Sequence, residues 1–242
     1  MERVVYDRIR VLEQDHWWFA GRRRILTGLI GDLPLPSDAR ILEVGCGAGG
    51  NIGMLRRFGS VRAMEPDAPS RAYASERHDM TVDDGRLPDG TPYAPASFDA
   101  VCAFDVVEHV DDDAATVSAL ARLLDRSGYL VVTVPAYGWM WSAHDEAHHH
   151  KRRYGRAQME QLFRDAGLEI VRASYFNSLL LPLAAGVRLA KRLVGIRSED
   201  DAMPPASVNR LLEQIFSSEA GWLRRRSLPF GLSIIVIGRR SA

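Results

Sequence analysis

Three clusters of residues carry types and spacings suited to chemistry. The first is the run 41–50, Ile-Leu-Glu-Val-Gly-Cys-Gly-Ala-Gly-Gly, with Glu43, Gly45, Cys46, Gly47 and Gly49 at its centre. It reads as a buried strand entering a glycine-rich turn and then a helix over residues 51–58. Glycines let backbone approach a ligand closely, and the first N–H groups of a helix point at whatever lies above the turn. The second cluster is a set of acids spaced along the next hundred residues: Glu65, Asp83-Asp84-Gly85, and Phe104-Asp105 followed by Glu108-His109. The third is 141–154, where Trp141, His144, Asp145, Glu146, His148, His149, His150 and Tyr154 crowd together. Histidine titrates near neutrality and can take a proton from a nucleophile.

Elements must bring these clusters together. Apolar periodicity predicts helices over 4–14 and 19–30, then a Leu-Pro-Leu-Pro-Ser linker at 33–37. Short apolar strands are predicted at 40–44, 61–64, 80–82, 98–104 and 129–134. Helices are expected between them at 69–77 and 112–124, the latter stopped by Ser127-Gly128. A helix at 156–166, a strand at 168–173, helices at 179–194 and 207–224 around a polar loop at 197–205, and a last strand at 233–237 complete the chain. This alternation specifies an α/β fold. The expected form is a doubly wound, mostly parallel, seven-stranded sheet with an antiparallel last strand, N-terminal helices and a helical insertion before that strand. The expected division is a single domain over 1–242: a cap at 1–36, a core at 37–175, a lid at 176–228 and the last strand at 229–242. In such sheets ligands bind at the carboxyl ends of the strands, where Glu43, Glu65, Asp83 and Asp105 all fall.

Composition narrows the function. The 242 residues are 46% hydrophobic and 26% charged, as in ordinary globular chains, and 31 basic residues balance 31 acidic ones. Nothing signals nucleic-acid binding. Cys46 and Cys102, the only cysteines, read as reduced thiols of a cytoplasmic protein. The N-terminus does not read as a signal peptide, and no apolar run approaches the roughly 20 residues of a membrane span.

Gly45-x-Gly47-x-x-Gly50 with Glu65 also fits a dinucleotide fingerprint, so a nicotinamide-dependent oxidoreductase is one alternative. A non-catalytic cofactor-binding module is another. The full set of motifs, however, resembles the Rossmann-like (class I) S-adenosylmethionine-dependent methyltransferases, small-molecule branch of the type 11/12 kind. The match runs through Glu43 to Gly49, Glu65, Asp83 to Pro88, and Ser97 through Asp105 to Val110. The resemblance implies S-adenosyl-L-methionine as cofactor, with Glu65 on the ribose, Asp83 on the adenine side, Asp84 and Gly85 beside it, and Gly45, Cys46, Gly47 and Gly49 under the methionine. Glu43 is implied at the ammonium group and Phe104 at the pocket wall. The flanks His16-Trp17-Trp18-Phe19 with Arg22-Arg23, and 141–154, resemble a narrower bacterial subgroup acting on saccharide, lipid-linked or natural-product acceptors.

The acceptor is thus expected to be a small molecule methylated at oxygen. Trp17, Trp18, Asp105, His109, Trp141 and His149 are candidates to line its site, while on the cofactor side Arg22, or Arg23, is a candidate to meet a carboxylate from a lid over the cofactor. His144 is the first choice for a base, with His148 and Tyr154 as competitors. No metal is expected, since His144 and His148 at i,i+4 lack a zinc-type His-Glu-x-x-His pattern. Helix 179–194 sets Arg188, Lys191 and Arg192 on one face and Leu183, Val187, Ala190 and Val194 on another. It suits a lid, a dimer contact or a peripheral membrane contact.

Overall fold

The computed structural model describes residues 3–194 and 202–241. Seven strands form one sheet: β1 (Arg40–Val44), β2 (Ser60–Met64), β3 (Val82–Asp83), β4 (Phe98–Phe104), β5 (Leu124–Pro135), β6 (Leu168–Phe176) and β7 (Ser233–Arg240). Their order is β3-β2-β1-β4-β5-β7-β6. Pairs from β3 to β5 are parallel, and β7 runs antiparallel between β5 and β6.

Period-two alternation explains why the central strands are apolar throughout. Leu42, Val44, Val101, Ala103, Leu130 and Val132 point to one face and meet Val117 and Leu120 of α5 (Asp113–Leu123) and Met159 and Phe163 of α7 (Arg156–Asp165). Ile41, Ala100, Cys102, Val131 and Ile235 point to the other face. There they meet Ile25, Leu26 and Leu29 of α2 (Trp17–Gly31), Phe216 of α9 (Ala206–Ser218) and Leu223 of α10 (Ala220–Leu223). The remaining helices are α1 (Arg3–Leu12), α3 (Ile52–Leu55), α4 (Ala68–His78), α6 (Ala143–Ala147) and α8 (Leu181–Val194).

Several boundaries differ from expectation, three of them for a visible reason. The helix after the glycine turn is one turn long, because the chain must double back into β2 at Gly59, where a Cβ would stand 2.1 Å from the Ala39 carbonyl oxygen. Ser127-Gly128 does not stop α5, which ends at Leu123. The pair lies inside β5, where the register against β4 shifts and Ser127 takes φ +66°. β6 runs on to Phe176 because β7 pairs with it along its length. The expected polar loop at 197–205 falls partly outside the described residues, as do the side chains of Lys191 and Arg192. Among the described residues no helix is long and apolar enough to cross a membrane.

Candidate active site

Above the carboxyl ends of the strands lies a cavity of about 930 Å³. That is near the top of the ~300–1,000 Å³ range of small-molecule sites, and it leaves room for a nucleoside-sized ligand and a second molecule beside it. The strand order divides its floor. The ends of β1, β2 and β3 supply Gly45, Cys46, Gly47, Glu65, Gly85, Arg86 and Leu87, and the ends of β4 and β5 supply Phe104, Asp105 and Pro135. Trp17, Trp18 and Arg22 of α2, Leu183 and Val187 of α8, and residues 148–151 complete the walls.

The glycine turn is set by backbone conformation and close packing. Gly45 has φ +65°, and a Cβ there would lie 2.7 Å from Val106 Cγ2. Gly47 has φ +56°, and a Cβ there would meet nothing within 4 Å, so its bare backbone faces open cavity. Glu65 locks the turn. Its carboxylate accepts from the Gly47 N–H at 2.8 Å and from the Asp67 N–H at 2.9 Å. Burial raises the Glu65 pKa, and the two N–H bonds pull against that rise. Glu13, which lines the same cavity, accepts from the Gly50 N–H at 3.1 Å and pairs with Arg77. Its position at the end of a charged predicted helix gave no sign of this; only the fold carries the residue that follows α1 to the turn.

Several expected contacts are placed elsewhere. Glu43 does not line the cavity. It is fully buried beneath the turn, accepts from Asn51 Nδ2 at 2.9 Å, and burial pushes its pKa up to about 8. Asp83 points away, because Arg62 and Tyr93 both donate to its carboxylate at 2.7 Å. Burial opposes ionisation there, but those bonds hold its carboxyl below the usual range. Asp84 pairs with Arg71 at 3.3 Å, and of this motif Gly85, Arg86 and Leu87 reach the wall. Gly49 packs against His78 outside the lining. Tyr154 cannot serve as a base: it is fully buried, its hydroxyl donates to Asp113 at 3.1 Å, and burial drives its pKa up. Trp141 is not part of the wall.

The aromatic trio does two jobs. Trp18 stacks on Phe216 at 5.1 Å with an 8° interplanar angle, and the Trp17 N–H donates to Asn209 Oδ1 at 2.8 Å. These contacts seat α2 on α9 while both tryptophans still face the cavity. Arg22, 5% exposed, pairs with Asp105, which also accepts from Thr133 Oγ1 at 3.1 Å.

The histidine segment is braced from behind by Asp145, a residue not singled out for its role. It is fully buried, caps α6 with Ser142, and accepts from Arg153 Nε at 2.7 Å; His150 Nδ1 lies 2.9 Å away. Burial opposes its charge, yet those bonds hold its carboxyl below the ordinary range. The brace turns His144, His148, His149 and His150 towards the cavity, opposite His109 and Glu108 of the single 3₁₀ turn after β4. Burial and the facing His150 and His148 lower the His109 pKa to about 3.

A parallel sheet with this strand order, one antiparallel strand, and a glycine turn pinned by the acid that ends β2 define a class I S-adenosylmethionine-dependent methyltransferase. The family model described as "Methyltransferase domain" matches residues 18–173, and the chain belongs to that family. The chain is similar to a malonyl-[acyl-carrier protein] O-methyltransferase of Enterobacter lignolyticus, with 28% identity over 72% of this chain and 71% of that one. It is also similar to a ubiquinone biosynthesis O-methyltransferase of Xylella fastidiosa, with 36% identity over 40% of this chain and 42% of the relative. A probable S-adenosylmethionine-dependent methyltransferase of Mycobacterium tuberculosis is 30% identical over 55% of this chain and 47% of its own. The matches therefore span less than half the length of the latter two.

Among solved structures, a putative Haloferax volcanii methyltransferase in complex with the Trm112 activator superposes with a TM-score of 0.65 at 18% identity, covering 99% and 95% of the two chains. A geranyl diphosphate methyltransferase solved with GPP and sinefungin superposes at 0.61 and 16%, covering 90% and 78%. These likenesses establish the fold. With the family match they replace the dinucleotide alternative: the cofactor is S-adenosylmethionine and the chain is a methyltransferase.

Proposed function

We propose that the chain methylates an oxygen of a small amphiphilic acceptor, of the lipid-linked, saccharide or natural-product kind. The carrying observation is the division of the cavity: a rigid, pinned cofactor half on β1–β3, and a second half that is imidazole-lined at its floor and apolar at its rim. Bound S-adenosylmethionine supplies an electrophilic methyl group on a sulfonium. The residues present fit that cofactor: Gly47 leaves open space above the turn, and Glu65 is fixed with its oxygens beside it. Glu65 would hold the ribose hydroxyls, Gly45 to Gly47 the methionine portion, and Gly85 to Leu87 the adenine. Glu43 acts through Asn51 as a brace of the turn rather than as a contact.

On the acceptor side His144 and His148 face the cavity and are placed to take the proton of a hydroxyl. Trp17, Trp18 and Phe104 exclude water, which keeps the displacement dry. Buried Asn177, whose side-chain amide has no partner, reaches the same wall and suits a polar group of the acceptor. Leu183 and Val187 both line the cavity and are exposed, so its mouth runs along α8. That rim is a route for an apolar tail, and it supports peripheral contact with a lipid surface. A homodimer across the same helix is the competing use of this face.

Calorimetry with S-adenosylhomocysteine tests the cofactor half, with binding lost on Glu65→Ala. A screen for label transfer from methyl-labelled S-adenosylmethionine to phenols, free saccharides and lipid-linked saccharides tests the other half. Turnover restricted to tail-less acceptors would overturn the amphiphile reading and leave the methyltransferase intact.

A further inference from the structure

The segment after β4 and the histidine segment after β5 meet at one point. Glu108 and His109 come from the first and His150 from the second. One donor atom from each lies within 4.8 Å of the others. All three residues line the cavity.

Glu108 is the unusual member. It is fully buried, and neither carboxylate oxygen has a hydrogen-bond partner. Buried carboxyl groups without partners are costly and rare. Arg22 and Arg153 feel its charge from a distance, but Arg22 is engaged by Asp105 and Arg153 by Asp145. A bound cation would supply what the protein does not.

Both imidazoles are held in place by hydrogen bonds. Asp145, bonded also to Arg153 and the Ser142 N–H, faces His150 Nδ1 at 2.9 Å. That fixes the proton on Nδ1 and leaves the Nε2 lone pair for a ligand, the carboxylate–histidine arrangement that orients metal-bound imidazoles. His109 bonds to the backbone of His148 and stands edge-on to His150, with ring centroids 4.7 Å apart. Metal–ligand bonds of about 2.1 Å would draw the three donors together by roughly an ångström, within reach of small side-chain rotations.

We propose that Glu108, His109 and His150 bind one divalent first-row transition ion, of the Zn²⁺, Co²⁺, Fe²⁺ or Mn²⁺ kind, and that an acceptor oxygen completes its coordination. Two nitrogens and one oxygen favour such ions over Mg²⁺ or Ca²⁺, which prefer all-oxygen sites. Three protein ligands leave positions open towards the cavity, as in sites where a metal holds a reacting oxygen. An ion there would lower the pKa of a bound hydroxyl and orient it, so the nearby histidines would need only to receive the released proton. The assignment of the open positions rests on the methyltransferase reading above; ion binding itself does not. It also differs from the sequence expectation of no metal, because the cluster joins residues 108 and 150 rather than the i,i+4 pair of His144 and His148.

The test uses the full chain without an affinity tag, stripped with chelator and titrated with Co²⁺. The expected result is one equivalent bound, with visible d–d absorption, and Kd raised about 100-fold or more by Glu108→Gln and by His150→Ala. Melting curves without metal check that the variants fold; if one does not, the other decides. Absence of Co²⁺ and Zn²⁺ binding would overturn the proposal, as would binding unchanged in both variants, which would place the ion on other histidines. S-adenosylhomocysteine calorimetry on the same preparations separates the two ideas. Homocysteine-nucleoside binding without Co²⁺ binding sinks the metal site alone, whereas the reverse sinks the methyltransferase reading and leaves the metal site standing.

Discussion

The two halves of the cavity are built on different principles. On the β1–β2 side, main chain does the shaping: positive-φ glycines, and a carboxylate tied to N–H groups two and eighteen residues away. Most contacts there are short-range or between adjacent parallel strands, Glu13 on the Gly50 N–H being the exception. On the β4–β5 side, side chains from distant segments do it. Glu108 meets His150, Arg22 meets Asp105, and α8 and α9 close the rim. The first half suits an invariant ligand fitted by backbone; the second suits variable acceptors, since side chains can change without moving the sheet.

That contrast can be broken most directly at Glu65. Glu65→Ala removes the proposed charge-assisted bonds to a ribose and frees the Gly47 N–H, so S-adenosylhomocysteine affinity should fall about 10²–10⁴-fold, or ~3–6 kcal/mol, by calorimetry. Next is Glu43. Its pKa rises from 4.5 towards about 8 on folding, chiefly by burial. The folded chain thus holds a proton that the unfolded chain has released, and stability from this residue is present at low pH and lost as pH rises from 4.5 to 8. The loss should be on the order of 4 kcal/mol, a large share of a typical domain's total. Thermal melts at pH 5 and pH 8 should show Glu43→Gln markedly less pH-sensitive; equal slopes would remove Glu43 as the brace.

Gly45→Ala places a methyl against Val106 in a left-handed backbone. It should cost about 1–3 kcal/mol in denaturant melts and weaken the cofactor half while sparing the histidine wall. The smallest effect belongs to the rim. Leu183→Ser should leave S-adenosylhomocysteine binding unchanged and raise KM for apolar-tailed acceptors about tenfold, consistent with losing part of one buried leucine's contribution. A matching change for tail-less acceptors would erase the distinction between the halves.

The legibility of the site follows the same division. Gly45, Gly47 and Glu65 could be read from spacing because the turn and the adjacent parallel strand enforce their meeting locally. Asp83 was misplaced by that logic. Its position at a strand end was right, but Arg62 on the neighbouring strand and Tyr93 in the following loop claim its carboxylate. Tyr154 sat in a promising run and is buried against Asp113, which no local pattern signals. Neither Glu13 nor Asp145 was given a role from the sequence; both are buried and bonded because the segments carrying them fold onto the cavity wall.

The amino-acid sequence by itself determined most of the strands, their mostly parallel run and the glycine turn, because hydrophobic period and backbone-permissive residues act over a few positions; the class of reaction followed from the resemblance of the motifs to a known family. Only the tertiary structure decided which acids face the cavity, which histidines meet Glu108, and what the acceptor half is made of. Those depend on desolvation and pairing between segments tens of residues apart, and a side chain's partner there is chosen by packing rather than by spacing.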